Sequence, residues 1–468
     1  MSGAAPIVAQ PAGRAEPLER LRMLCDPGTV RPLGGDGGGV LAAAGRVAGR
    51  AIVCYAQDPG HAGGSVGIAE ADAVVRAQRE AGRERVPLVA FLASAGARLQ
   101  EGTAALGGFG RIFSQNVRLA GRVPQISVIT GTSAGGGCYS PALTDFIVMT
   151  RPSAMFLTGP RVVREALGEE VEAAALGGVR VHERNGVCQF AADDDPAAAA
   201  LVRDLLAHLP QRAGQAPPRT EPVAPADATP FALPANGRHV YDVRSTLGRL
   251  VDAGRFLEVS PRWARNIVVG FARIEGEPVG VVANQPRHLG GAIDAEASQK
   301  GARFVHTCNA FGVPLVVLVD TPGFLPGRRQ EAAGIIRHGA ALLSAFAGAT
   351  VPRLTVVLRK AYGGAYITMN SKDLGADRAF AWRGAEIGIM SPRAAVQIIH
   401  RRELAGRPAD ELAEAYRARH LSAERALEMG AIDEVIEPAQ TRERIATALA
   451  DAERPAARRT AAVRPARR

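Results

Sequence analysis

Lysine is almost missing from this chain of 468 residues: of 56 basic residues only Lys300, Lys360 and Lys372 are lysines, and arginine supplies the rest. Arginine and alanine in such excess reflect the codon bias of a GC-rich genome, so the net charge of +10 is a weak argument for nucleic acid and none is expected as a partner. The balance is compatible with a phosphate-bearing small molecule. Cysteine is scarce as well. Cys25, Cys54, Cys138, Cys188 and Cys308 form no C-x-x-C pair, which argues against a disulfide framework and a zinc ribbon, and for a reducing cytoplasm. The longest apolar runs, such as VPLVVLV from Val313, are too short to cross a bilayer. The opening MSGAAPIVAQPAGRAEP has no charged segment followed by an apolar core, so no signal peptide is read. Neither H-E-x-x-H, G-x-S-x-G, a Walker A motif nor G-x-G-x-x-G in a strand-to-helix setting occurs, and no metal is expected.

What the chain does contain, it contains twice. GRAIVCYAQDPGHAGGS from Gly49 aligns with GEPVGVVANQPRHLGGA from Gly276 and sets Gly63-Gly64 against Gly290-Gly291, an offset of 290 − 63 = 227. VPLVAFLASAG from Val86 meets VPLVVLVDTPG from Val313 at the same offset, and VPQISVITGTSAGGG from Val123 meets VPRLTVVLRKAYGGA from Val351 one residue further on. So slow a drift identifies two copies of one domain.

The segment 211–238, crowded with proline and alanine and without apolar periodicity, reads as a semi-rigid linker. It separates a domain at 18–210 from one at 239–452, with a flexible start at 1–17 and an Arg-rich tail at 453–468. Within each half, short Val/Ile-rich runs ending at glycine alternate with longer helical stretches, which implies α/β domains, with length and order suiting repeated ββα units. Periodicity alone leaves a doubly wound sheet open.

Gly135-Gly136-Gly137 follows a β-rich run, and Gly363-Gly364-Ala365 does so in the second copy. A strand that stops at small residues and restarts as a helix leaves backbone N–H groups pointing outward at the helix's positive end. Two such donors stabilise a carbonyl oxygen as it gains charge. Side-chain bases are harder to find: His338 sits in an amphipathic helix as a packed residue, Asp320 ends a strand as a turn former or site-lining residue, and Glu101 reads as a first-turn helix residue. A site built of backbone donors needs a cofactor or the substrate itself to move protons.

GARLQEG, FGRIFSQN, PQISVITG, AGGGCYSPALTDF and MFLTGP in the first half resemble the carboxyltransferase (β) subunits of acyl-CoA carboxylases. NIVVGFARIEGEPVGVVANQP, LVDTPGFLPG, QEAAGIIRHGA, RKAYGGAYITMNSKDLGAD and AEIGIMSPRAAVQIIHRREL in the second half are similar to the same family, and the match runs from about 18 to about 451. The resemblance implies tandem crotonase-like (ClpP/crotonase) domains and transfer of a carboxyl group from carboxybiotin to a short-chain acyl-CoA such as acetyl- or propionyl-CoA. It implies that Gly135, Gly136 and Gly137 hold the thioester oxygen and that Gly364 and Ala365 hold the ureido oxygen of biotin. Gly63, Gly64, Gly96, Ala97, Arg98, Tyr139 and Ile367 are then expected to bind acyl-CoA. Pro322, Gly323, Phe324, Tyr362, Gly363, Gly364 and Ala365 are expected to receive biotin. The implied partner is a subunit with biotin carboxylase and a biotinylated carrier, and the implied assembly is a dimer-based hexamer with its active site where the two kinds of half meet. A biotin-dependent decarboxylase subunit and a non-catalytic assembly subunit are the alternatives.

Departures from the family pattern cluster in the first half. Ala93-Ser94-Ala95-Gly96-Ala97-Arg98 stands where D-S-G-G-A-R is common, AQDPGHAGGS (56–65) replaces an aromatic-bearing segment, and Ser133 stands where cysteine is common. Ile367 occupies a position where the family varies between Asp and Ile.

Overall fold

After a leading helix and a short edge strand, each copy forms an antiparallel hairpin whose turn the sequence dictates. Val40–Val47 pairs with Arg50–Gln57, and Ile267–Ile274 pairs with Glu277–Asn284. The two turn residues have positive φ in both, Ala48 and Gly49 (49 and 75°) and Glu275 and Gly276 (51 and 74°), as a two-residue hairpin turn matched to strand twist demands. An aspartate outside each hairpin ties the turn down. Asp26 accepts from the N–H groups of Ala48 and Gly49 at 3.0 and 2.8 Å, and Asp252 from those of Glu275 and Gly276 at 3.0 and 2.7 Å.

The second hairpin strand then leads through a helix into parallel strands. In the first copy these are Leu88–Ser94, Gln125–Ala134, Phe146–Thr150 and Phe190–Ala192, and in the second Leu315–Thr321, Arg353–Tyr362, Arg378–Trp382 and Glu434–Ile436. Runs such as LVAFLAS and LVVLVDT are buried residue by residue because helices cover the sheet, and that is why they read as continuous rather than alternating apolar runs. The ββα unit therefore follows a leading helix and short edge strand in each domain, and βα units continue it. The pairing of the two central strands slips at the same place in both sheets, between Leu92 and Ser94 and between Val319 and Thr321.

The computed structural model describes residues 16–35, 37–227, 229, 231, 233–234 and 239–452. The expected Arg-rich tail, nearly all of the expected flexible start and part of the linker lie outside the described residues. The chain divides into two compact units, Met1–Gln215 and Ala216–Arg468. Past residue 215 the proline-rich segment is tied to the second unit: Thr220 N–H donates to Gly276 O at 3.1 Å, and Arg273 reaches Pro218 O at 2.7 Å. The stretch QEAAGIIRHGAALLSAFAGA forms two helices rather than one, Arg328–Ala332 and Ile335–Ala347, because Gly334 between them takes φ 76°. Among the described residues no helix is long and apolar enough to cross a membrane.

Candidate functional site

Three loops at the carboxyl ends of the parallel strands converge in the first unit. Beyond Arg50–Gln57 the chain turns through Ala62, Gly63 and Gly64, three successive residues at positive φ (47, 64 and 71°). Gly64 admits no side chain there: a Cβ would stand 2.3 Å from the Ala93 carbonyl oxygen. The loop bearing Gly96, Ala97 and Arg98 lies alongside, with Val66 N–H donating to Gly96 O at 2.8 Å and Arg98 N–H to Val66 O at 2.9 Å. The third loop is the glycine turn. Gly135 takes φ 55°, ψ −125°, open to glycine alone, and the helix Gly136–Ala142 starts directly after it. Gly136 and Gly137 thus place their N–H groups in a first turn, where a helix offers no acceptor. A Cβ on Gly137 would sit 3.2 Å from that of Ser94, so this loop also packs against the end of Leu88–Ser94. Tyr139 follows on the same helix, half exposed, its ring edge-on to Phe113 at 6.0 Å.

Arg98 is committed inside the protein. Its guanidinium donates to Glu70 Oε1 at 2.6 Å, to Ser65 O at 2.9 Å and to Glu101 Oε1 at 3.1 Å. Burial raises the Glu70 pKa, but Arg98 and the backbone N–H groups of Gly67 and Gly39 overcome this and hold the carboxyl below its ordinary value. Glu101 in turn accepts from Ile68 N–H at 2.7 Å and caps the helix Ile68–Glu84. It is a first-turn residue of the short 3-10 helix Leu99–Glu101, and it also serves another helix, whose N-cap Gly67 has no side chain to offer. In the second copy the residue matching Gly67 is Asp294, which caps its own helix by accepting from Ala297 N–H at 2.8 Å. Sequence reasoning passed over Glu70, although a glutamate three residues after a helix start is a capping signal.

The second unit repeats the loops with different side chains. Leu289, Gly290 and Gly291 take φ 51, 63 and 81°, and a Cβ on Gly291 would stand 2.3 Å from Asp320 O. Phe324 bridges to Ile293 as Ala97 does to Val66. Its ring lies 3.8 Å from where a Cβ on Gly364 would be, and 3.1 Å from one on Gly339. Gly363 (φ 61°) makes the turn, and the helix Gly363–Thr368 presents the N–H groups of Gly364, which is exposed, and Ala365 in its first turn. Pro322 is exposed and Gly323 half-buried beside them. Tyr362 is placed differently from a surface contact: it is buried, and its hydroxyl donates to Glu386, so what it brings to the turn is backbone. Ile367 stands one turn further along the helix, 45 % exposed.

Side-chain acids and nucleophiles stand back from both turns. Asp320 is 1 % exposed and paired with Arg359 at 3.0 Å, so it supports the strand end rather than lining the site. Its counterpart in the first copy is Ala93; in both copies the backbone N–H at this position donates to an amide side chain, of Gln57 at 3.0 Å and of Asn284 at 3.2 Å. Cys138, just past the first glycine turn, is pushed up to about 12 by burial and donates to Ser133 O and Phe156 O, so it is a thiol and no nucleophile. His338 is a helix residue in contact with Gln299 and Arg337. Each unit thus offers preorganised backbone donors beside a glycine turn and a dearth of bases.

A family model described as Carboxyl transferase domain matches residues 25–465. The propionyl-CoA carboxylase carboxyltransferase subunit of Haloferax mediterranei is 47 % identical over 420 residues, covering 87 % of this chain and 81 % of that one. The methylmalonyl-CoA decarboxylase subunit alpha of Veillonella parvula is 44 % identical over 420 residues, covering 88 % and 82 %. Among solved structures, the transcarboxylase 12S hexamer with methylmalonyl-coenzyme A and methylmalonic acid bound superposes with a TM-score of 0.88 at 42 % identity, covering 92 % of this chain and 89 % of that one. The fold is accordingly the crotonase-like one. The chain belongs to the carboxyl transferase domain family and is an acyl-CoA carboxyltransferase.

Proposed function

We propose that the chain transfers a carboxyl group between biotin, carried by a partner subunit, and the α carbon of a short-chain acyl-CoA. The observation that carries this reading is the duplicated turn: Gly135 and Gly363 share a positive φ (55 and 61°), and each is followed by two first-turn N–H groups. In the unit Met1–Gln215, the donors of Gly136 and Gly137 hold the thioester oxygen. A thioester α-proton is too weakly acidic to leave unaided, so donors fixed in advance lower the barrier most where the oxygen gains charge. In the unit Ala216–Arg468, the donors of Gly364 and Ala365 hold the ureido oxygen of biotin. The exposed Gly364, flanked by the Phe324 ring, suits a flat polar ring with an apolar edge. Carboxybiotin, when bound, supplies carbon dioxide and a basic ureido nitrogen, which fits turns built of backbone donors.

Arg98 positions the acyl side through Glu70 and Glu101, which fasten the loop 96–101 to the turn 61–70. Ile367 lends an apolar surface that suits acetyl- or propionyl-type acceptors. Oligomerisation belongs to the proposal: Leu99, Tyr139, Ile336 and Ile389 are 90, 52, 78 and 78 % exposed around the two turns, the kind of apolar surface that subunit contacts cover. The likeness to a decarboxylase subunit supports a second reading, the same chemistry run toward decarboxylation, which supply of a carboxylated or free biotin carrier separates.

Replacing Gly364 tests the second donor pair without dismantling its helix. Proline is tolerated in a first turn but has no N–H, whereas alanine keeps it, and a Cβ there has room. Gly364→Pro is expected to lower kcat for biotin-dependent decarboxylation of methylmalonyl-CoA by about 10²–10³, and Gly364→Ala to leave it within a few-fold. Equal rates for the two variants would remove this N–H from the mechanism.

A further inference from the structure

Far along the sheet from the glycine turns, at the amino ends of the strands Leu88–Ser94 and Gln125–Ala134, the first unit has a cavity of about 170 Å³ lined by Gly82, Arg85, Leu119, Arg122, Val123, Arg212 and Ala213. Three of the seven lining residues are arginines and none is acidic. No described residue forms a side-chain hydrogen bond or ion pair with Arg85, Arg122 or Arg212, and all three are exposed. The wall is fixed in place: Ala213 N–H donates to Arg122 O at 2.9 Å, which holds the stretch after the helix Asp195–His208 across the corner.

The duplication supplies an internal control, because the same corner of the second copy is closed. Asn309 stands at the position of Gly82, and its Oδ1 accepts from Thr350, the residue matching Arg122, through N–H at 2.7 Å and Oγ1 at 3.2 Å. Arg85 matches Gly312. Both take the left-handed conformation, φ 56° for Arg85 and 66° for Gly312, which costs a side-chain-bearing residue about 1–2 kcal/mol and glycine nothing. The first copy has therefore opened the corner by a glycine, placed Arg85 and Arg122 where the second copy has Gly312 and Thr350, and kept an arginine where glycine fits better. Strain retained in this way points to function.

We propose that this corner binds a compact phosphate-bearing anion, an orthophosphate or diphosphate group, at a place separate from the two glycine turns. Guanidinium forks match phosphate oxygens, and Leu119 and Val123 form a small apolar floor. A cavity of about 170 Å³ is smaller than the roughly 300–1,000 Å³ of drug-sized sites, so it takes the phosphate end of a ligand rather than a whole cofactor.

Calorimetric titration of the full chain with pyrophosphate, orthophosphate and ADP, at an ionic strength held constant with potassium chloride, tests this. The wild type is expected to bind pyrophosphate saturably at one site per chain. Arg85→Gly, which deletes a guanidinium while giving the left-handed position the residue that suits it, is expected to weaken binding at least tenfold with no fall in Tm. Gly82→Asn, copying the closed corner, is expected to do the same. ADP competing with pyrophosphate would identify a nucleotide as the natural source of the group, and absence of competition would identify a free phosphate. No binding by the wild type, or equal affinity in the wild type and Arg85→Gly, would overturn the proposal; the latter would place the anion elsewhere, as in an acyl-CoA site.

Discussion

Lys300 lies inside the second unit, 3 % exposed, with Nζ donating to the carbonyl oxygens of Trp263 and Ile267 at 2.9 Å each. Burial lowers its pKa to about 7 from 10.5, with nearby Glu258 raising it and Arg244 lowering it by smaller amounts. In the unfolded chain the amine stays protonated to about 10.5, so between about 7 and 10.5 the unfolded state binds more protons and stability rises with pH. Below that window the folded state carries a buried charge. Lys300→Met is expected to flatten the rise in Tm between pH 7 and 10, measured against the wild type; an unchanged slope would place its origin in another group. Ser133 is a residue-scale cost of a different kind: it is fully buried and its hydroxyl has no partner among the described residues. Asp320 and Ala93 show that the two copies have parted chemically at equivalent strand ends, one keeping a buried carboxylate on Arg359 and the other none.

At the scale of elements, the copies reach the same helix start by different means. Asp294 caps its helix from within, whereas Gly67 leaves that place to Glu101 from the next loop; a Cβ on Gly67 would stand 2.1 Å from Glu101 Oε1. Loss of a helix cap costs about 1 kcal/mol, and Glu101→Ala also removes one of the two carboxylates on Arg98. The expected outcome is a drop of about 1–2 kcal/mol in unfolding free energy, together with a raised KM for acyl-CoA, since the loop 96–101 loses a fastening. A stability loss with unchanged KM would make the latch purely structural. The glycine turns and parallel strands were legible in the sequence because their causes are local: Gly64, Gly291 and Gly135 answer to backbone geometry, and VPLVAFL and VPLVVLV to burial on both faces. The committed guanidinium of Arg98, the buried hydroxyl of Tyr362 and the cap from Glu101 were not legible, because each depends on a partner brought from 24 to 33 positions away by the fold. The split of the helix at Gly334 was written in the sequence as a glycine, yet the strong apolar periodicity of the stretch after it masked it.

For the molecule as a whole, the repeat extends further than an ungapped alignment showed. After the glycine turns the counterparts Phe146–Thr150 and Arg378–Trp382, then Phe190–Ala192 and Glu434–Ile436, fall progressively out of register as connecting segments lengthen in the second copy, while the strand pairing persists. Two scaffolds with matched donor turns but different surroundings, a charged latch in one and an aromatic ring in the other, suit two different oxygens in one reaction. Biotin-dependent decarboxylation by the purified chain tests that central claim most directly, with free biotin and either methylmalonyl-CoA or malonyl-CoA as substrates. Turnover is expected to saturate in both biotin and acyl-CoA and to vanish without biotin, the ratio between the two substrates ranking the acceptors. Folded, assembled protein that turns over neither substrate, or turns one over equally well without biotin, would contradict it.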